Sequence, residues 1–114
     1  MAALNNVRIL DMTQYEAGTS CTQALAWLGA DVVKVEAPGV GDPGRGVGLT
    51  GEERYSAYFC NWNANKRSVV INLQKDSGRE LLLDLVPKFD VFVENYGPGV
   101  VERLRIDYED LKQV

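Results

Sequence analysis

Apolar and polar positions switch between two periods along this chain. Val7 to Thr13 (Val-Arg-Ile-Leu-Asp-Met-Thr) is short and mostly apolar, and predicts a buried first strand. After Gly18 the period lengthens. Cys21, Ala24, Leu25 and Leu28 fall at i, i+3, i+4 and i+7, which predicts a helix with that face inward, stopped by Gly29. Ala30 to Ala37 returns to a Val-rich strand and closes a strand-helix-strand unit. Pro38 to Gly51 holds Gly39, Gly41, Gly44, Gly46, Gly48 and Gly51 and reads as loop. The aromatic-rich stretch Tyr55 to Trp62 predicts a short helix, and Ser68 to Leu73 a third strand. Ser77 and Glu80 have capping-box spacing ahead of a helix whose stripe is Leu82, Leu85, Val86 and Phe89. A fourth strand is expected over Asp90 to Asn95. The break Gly97-Pro98-Gly99 follows, with Pro98 suited to a first helical turn, then short helices over Val100 to Leu104 and Asp107 to Lys112.

This alternation predicts an α/β fold, an open and mostly parallel sheet with helices on both faces and right-handed crossovers. Ligands of such sheets sit beyond the carboxyl ends of the strands, where strand order reverses. The eligible loops are Gln14 to Gly18, the glycine run after Glu36, and Asn95 to Gly99.

Composition narrows the chemistry. The 114 residues suit one domain, and mass scaling gives it an accessible surface of roughly 6,200 Å². No apolar run approaches the ~18 residues of a membrane span. Met1 to Leu4 meets Asn5, Asn6 and Arg8 at once, so no secretory signal and no membrane partner are expected, and the cytoplasm is the expected compartment. A net charge of −4 argues against a general nucleic-acid binder, so an anionic ligand would need a local basic cluster. The chain has no histidine, which removes Ser-His and Cys-His dyads and imidazole metal ligands. Any catalysis therefore falls to a carboxylate, Lys, Tyr or Cys. Cys21 and Cys60 lack metal or redox spacing and read as packing residues.

Gly39 to Gly44 spells G-x-G-x-x-G, yet it follows the second predicted strand, is interrupted by Pro43 and leads into more glycine. Although Glu36 sits where a ribose-binding acid belongs, an NAD site is not expected. Lys66-Arg67 and Arg103 are candidate anion contacts when read with the break at Gly97 to Gly99; a solvated Arg103 is the plain alternative. Asn63 and Asn65 read as turn residues. Asp11 lies inside a strand pattern, which suggests burial with a partner, whereas Glu16 is expected to be exposed. Tyr15 offers an aromatic face beside the crevice, more often packing than a stacking platform.

Taken in order, these segments resemble the class III CoA-transferase family, which includes formyl-CoA and carnitine CoA-transferases and the related alpha-methylacyl-CoA racemase. The resemblance runs through Val7 to Thr13, Ala17-Gly18, Leu28 to Glu36, Gly41-Asp42-Pro43 with Arg45, Asn65 to Ser68, Val93 to Gly99, Arg103-Leu104 and Asp107 to Leu111. It implies a Rossmann-like large domain, of which residues 1–114 are the CoA-binding amino-terminal portion, with coenzyme A or an acyl-CoA and a carboxylic acid as substrates. No metal or redox cofactor is implied, and the expected partner is a second copy in a homodimer. In such enzymes a carboxylate attacks the thioester and becomes a mixed anhydride and then an enzyme-CoA thioester. Carried over by position, Gln14, Tyr15, Glu16 and Ala17 would lie along the pantetheine and thiol end of CoA. Ile71, Asn72, Leu73 and Gln74 would meet the adenine and ribose, and Asn95, Tyr96 and Arg103 the phosphate-bearing and pantetheine portions.

Three departures bear on that expectation. Glu16 stands where formyl-CoA transferases have Gln, and Ala37 where some members have Arg. The family's catalytic Asp is expected beyond Val114, so no catalytic residue is assigned; Glu16 and Gln14 are only neighbours of the thioester, with Glu16 as a substitute nucleophile the remote option. The competing readings are a stand-alone binding or interaction module and a relative of the racemases.

Overall fold

The computed structural model describes residues 1–51 and 55–114. Strands β1 (Arg8–Asp11), β2 (Asp31–Glu36), β3 (Arg67–Val70) and β4 (Val91–Val93) form one sheet in the order β3-β2-β1-β4. Every neighbouring pair is parallel, with Ile9 opposite Val32 and Val91, and Val35 opposite Val69. Helices α1 (Ala17–Trp27), α2 (Ala57–Asn63), α3 (Asp76–Leu85), α4 (Val100–Leu104) and α5 (Tyr108–Leu111) connect or follow the strands. This is the open parallel α/β architecture that the alternating pattern predicts, with the order reversing between β1 and β4.

Strand pleating sends successive side chains to opposite faces, so the core divides in two. Leu10, Met12 and Val35 pack with Ile71, Leu82 of α3 and Ile106 on one face. Ile9 and Val32 pack with Ala30 and with Ala26 of α1 on the other. Burial of β1 and β2 on both faces explains why they do not alternate strictly between apolar and polar, and the charged side chains buried with them, Asp11, Lys34 and Glu36, are all ion-paired.

Several boundaries differ from the sequence expectation, for local reasons. The ladder of β1 ends at Asp11, although Met12 N–H still donates to the Val93 carbonyl; Thr13 N–H turns to the Asp11 carboxylate instead of a neighbouring strand. β3 stops at Val70 because β2 stops at Glu36, whose carbonyl takes a last bond from Ile71 N–H. β4 is confined to the three residues that β1 can pair. The glycine run is not all loop, since Pro43–Gly46 makes a 3₁₀ turn capped by Asp42. Ser77 forms no capping box; α3 begins one residue earlier, at Asp76, with no side-chain cap. Pro98 precedes α4, whose cap is Gly99.

The largest correction concerns α1. Its buried residues are Thr19, Thr22 and Ala26, while Cys21, Ala24 and Leu28 of the predicted apolar stripe are exposed. Thr22 is drawn inward because its hydroxyl donates to the buried Asp11 carboxylate at 2.7 Å. Cys21 and Cys60 are both free and exposed, so neither is the packing residue expected. The accessible surface, 7016 Å², exceeds the roughly 6,200 Å² expected from mass, with Trp27, Leu28 and Val70 among the exposed apolar residues.

Among the described residues no helix is long and apolar enough to cross a membrane. Nor is any group of three or more His, Cys, Asp or Glu side chains among them placed to hold a metal ion.

Candidate ligand-binding site

β1 and β4 release their chains side by side at the carboxyl edge of the sheet, and the two released loops are fastened together. Asn95 Oδ1 accepts from Gln14 N–H at 2.8 Å, and Asn95 Nδ2 donates to the Gln14 carbonyl at 3.0 Å. Gln14 Nε2 donates to the Tyr96 hydroxyl at 3.3 Å. The helix that follows is seated just as closely. A Cβ on Gly18 would fall 2.4 Å from Thr13 Cγ2 and 3.1 Å from Asn95 Cγ, so only glycine lets α1 start there.

Beside this junction lies a cleft of about 320 Å³. Met12, Val35 and Leu104 form apolar wall, Ala37, Pro38 and Val40 one rim, and Ile71, Asn72, Leu73, Gln74 and Tyr96 the other. The Ile71 to Gln74 segment is held from behind by α3: a Cβ on Gly78 would lie only 2.0 Å from the Asn72 carbonyl oxygen. Asn72 Oδ1 accepts from Gln74 N–H at 3.1 Å, which turns the segment across the sheet edge. Burial pushes the Tyr96 phenol above its usual range, helped by the negative charges of Asp42, Glu94 and Asp11, so it stays protonated at neutral pH. A second groove of about 450 Å³ shares Leu73, Gln74 and Leu104 with the first and adds Lys75, Arg103 and an Arg105 that is paired with Asp76.

The sequence-predicted residues thus gather into one region, in different settings. Gln14, Asn95 and Tyr96 are mutually bonded. Tyr15 is 53% exposed, with a φ of 60°. Glu16 and Ala17 are exposed where α1 begins. Ile71, Asn72, Leu73 and Gln74 line the cleft, with Ile71 itself in the core. Arg103 lies in the second groove, exposed and in no ion pair among the described residues.

Other expected contacts are spent internally. Lys66 is no anion contact: its side chain is 2% exposed and its Nζ lies 3.0 Å from Asp11 Oδ2. Burial lowers the Lys66 pKa, an effect opposed by the Asp11 charge. Asp11 is completed by Thr13 and Thr22, the buried partnership expected from its place in the strand. Arg67 faces Asp31 in an exposed pair at the other end of the sheet. Glu36, placed by spacing for a ribose, instead receives Arg45 Nε and Nη2 at 2.7 Å each, Ser68 Oγ at 2.6 Å and Asp42 N–H at 2.9 Å. Burial alone would raise its pKa, but those bonds reverse the effect and hold the carboxyl at about 2.

Sequence reasoning missed the pair Lys34 and Asp42. Both are buried, with Lys34 Nζ 2.8 Å from Asp42 Oδ2 and donating to the Thr13 carbonyl at 2.5 Å. Asp42 Oδ1 accepts from Tyr15 N–H at 3.1 Å and Gly44 N–H at 2.8 Å. The available signal was a lysine inside a Val-rich strand, which must find a buried partner if its pattern is right.

A cleft and a bonded loop pair lie where the order of this parallel sheet reverses, at the strands' carboxyl ends, the place at which open α/β sheets commonly take their ligands. Residues 4–114 match the family described as CoA-transferase family III, and the chain belongs to that family. It is 48% identical over 112 residues to the formyl-CoA:oxalate CoA-transferase of Bradyrhizobium diazoefficiens, with 98% of this chain and 26% of that protein covered. To the Streptomyces coelicolor protein of the same name it is 46% identical over 112 residues, with 98% and 27% covered. The chain therefore spans about a quarter of the length of the curated relatives it matches. Among solved structures, a CAIB/BAIF family protein from Brucella suis superposes with a TM-score of 0.89 at 38% identity, covering 98% of this chain and 30% of that one. Rv3272 from Mycobacterium tuberculosis does so with a TM-score of 0.88 at 37% identity, covering 98% and 31%. These likenesses support the Rossmann-like assignment and extend over nearly the whole chain.

Proposed function

We propose that this chain is the CoA-binding portion of an acyl-CoA:carboxylate CoA-transferase. In the complete reaction CoA passes from an acyl-CoA to a carboxylic acid through an aspartyl mixed anhydride, and that aspartate lies outside residues 1–114. The observation that carries the reading is the shared wall of cleft and loop junction: Tyr96 lines the cleft and bonds Gln14. One extended ligand can therefore lie against Ile71 to Gln74 and reach the Gln14 to Ala17 turn. Arg103, exposed in the adjoining groove, supplies a cation for a phosphate. The 46–48% identity to proteins named formyl-CoA:oxalate CoA-transferase makes a short acyl group and a small carboxylic acid the first substrates to test. The same reading carries self-association as a homodimer and a cytoplasmic setting.

Calorimetric titration of the chain with CoA tests the assignment. Binding that weakens as salt rises is the expected result, and NADH should not compete. No heat of binding, together with no shift of the melting temperature by CoA, would overturn it in favour of a non-binding interaction module.

A further inference from the structure

Asp42 is buried in the glycine-rich loop, and all its partners belong to neighbouring segments or to its own 3₁₀ turn. Its partner Lys34 binds the Thr13 carbonyl, while Asp42 binds the Tyr15 amide. Asn95 grips both polar groups of Gln14 between them. Consecutive residues of the turn are thus tied down from two sides, and Tyr15 is held at a φ of 60°, a left-handed conformation uncommon for residues with side chains. A buried ion pair is a costly way to hold a sheet together, and an apolar pair of similar volume often does as well. What an apolar pair lacks is an acceptor for the Tyr15 N–H and a donor for the Thr13 carbonyl.

We propose that Asp42 is a positioning residue: through the Tyr15 amide it fixes the Gln14 to Ala17 turn in the shape that receives the thiol end of CoA. The inference rests on the CoA-binding reading above. Asp42 acts through Tyr15 rather than on the ligand, and it couples the glycine-rich loop to the site.

The test compares two double variants, Lys34→Met/Asp42→Ala and Lys34→Met/Asp42→Asn, with the unaltered chain. Both remove the two buried charges together, so neither leaves an unpaired ion, but only the asparagine form keeps an oxygen for the Tyr15 N–H. Each is titrated with CoA and with adenosine 3′,5′-bisphosphate, which has the nucleotide end but no pantetheine arm or thiol. The alanine form is expected to bind CoA about five- to tenfold more weakly than the asparagine form, the worth of one hydrogen bond. All three should bind the bisphosphate alike. Equal CoA affinity in the two variants overturns the role, and so does an equal loss for both ligands, which marks general loosening. If the unaltered chain binds neither ligand, the CoA reading fails before any substitution is made, and the positioning role falls with it. Hydrogen exchange in the unaltered chain adds a check independent of variant folding. The Tyr15 amide should be protected like those of β1, and exchange at the rate of a free peptide overturns the proposal.

Discussion

Asn95 grips the backbone of Gln14 with both ends of its side-chain amide, accepting from the N–H at 2.8 Å and donating to the carbonyl at 3.0 Å. An asparagine is suited to this task because it carries a donor and an acceptor side by side. Asn95→Ala should cost about 1 to 2 kcal/mol of stability and weaken CoA binding. Asn95→Asp, which keeps the acceptor but sets a carboxylate oxygen against the Gln14 carbonyl, should do no better than alanine. Denaturant unfolding and calorimetry on the same samples check both.

Lys66 and Asp11 bury opposite charges 3.0 Å apart, with side chains 2% and 0% exposed. Lys66→Met removes the cation beside the buried Asp11 carboxylate and leaves it the bonds from Thr13 and Thr22, so a loss of about 3 to 5 kcal/mol is expected. Adding Asp11→Asn should recover part of that loss. A double-mutant cycle by urea unfolding measures the recovery, and strictly additive losses would contradict the pairing.

Glu36 gives the fold an acid sensitivity of known sign. Its pKa is about 2 in the folded chain against 4.5 for the free group, so between those values the unfolded chain binds more protons and stability rises with pH. The contribution is fully present above pH 4.5 and is lost as pH falls toward 2. It should amount to roughly 3 kcal/mol. Unfolding free energies followed across that range should fall more steeply in the unaltered chain than in Glu36→Gln.

Arg103→Ala should weaken CoA binding by about 1 to 3 kcal/mol, the range for a charge-assisted hydrogen bond, and should reduce its salt dependence. Stability should barely change, because Arg103 is exposed and in no ion pair among the described residues. Unchanged affinity and salt slope in a calorimetric series would remove Arg103 from the site.

Gly18→Ala should destabilise the fold by about 1 to 3 kcal/mol, as overpacking of a close contact does. The new methyl would meet Thr13 Cγ2 at 2.4 Å, before reaching Asn95. If α1 retreats from β1 to make room, the Gln14–Asn95 bonds lengthen, which amide chemical shifts of Gln14 would report.

Much of this was legible in the residues, and the errors share one physical origin. The alternation of strands and helices and the parallel sheet follow from period and connection length, because burial on two sides leaves a mostly apolar strand such as Val7 to Thr13. The order β3-β2-β1-β4 does not, because no local pattern says on which side of β1 the last strand pairs. The α1 face was misread because a period-based reading counts Thr19 and Thr22 as polar, while here they are buried. Lys66 was misplaced for the same reason: its partner Asp11 is 55 positions away, and no local pattern shows that one cancels the other. The CoA-contact candidates came from resemblance to a family. What the sequence did not reveal is that Gln14 and Asn95 are bonded, or that Lys34 and Asp42 lie beneath them.

The order β3-β2-β1-β4 also has a bearing on time. Gln14 and Asn95 are 81 positions apart, so their junction closes only when the chain has completed its longest excursion and β4 has found β1. Pairings of such separation impose the largest entropic delay and slow folding. An intermediate holding only β1, β2 and β3 would have the Ile71 to Gln74 part of the cleft lining yet lack Tyr96, which follows β4. A ligand that needs both therefore recognises only chains that have finished folding, and by mass action it stabilises that state without speeding the step that forms it.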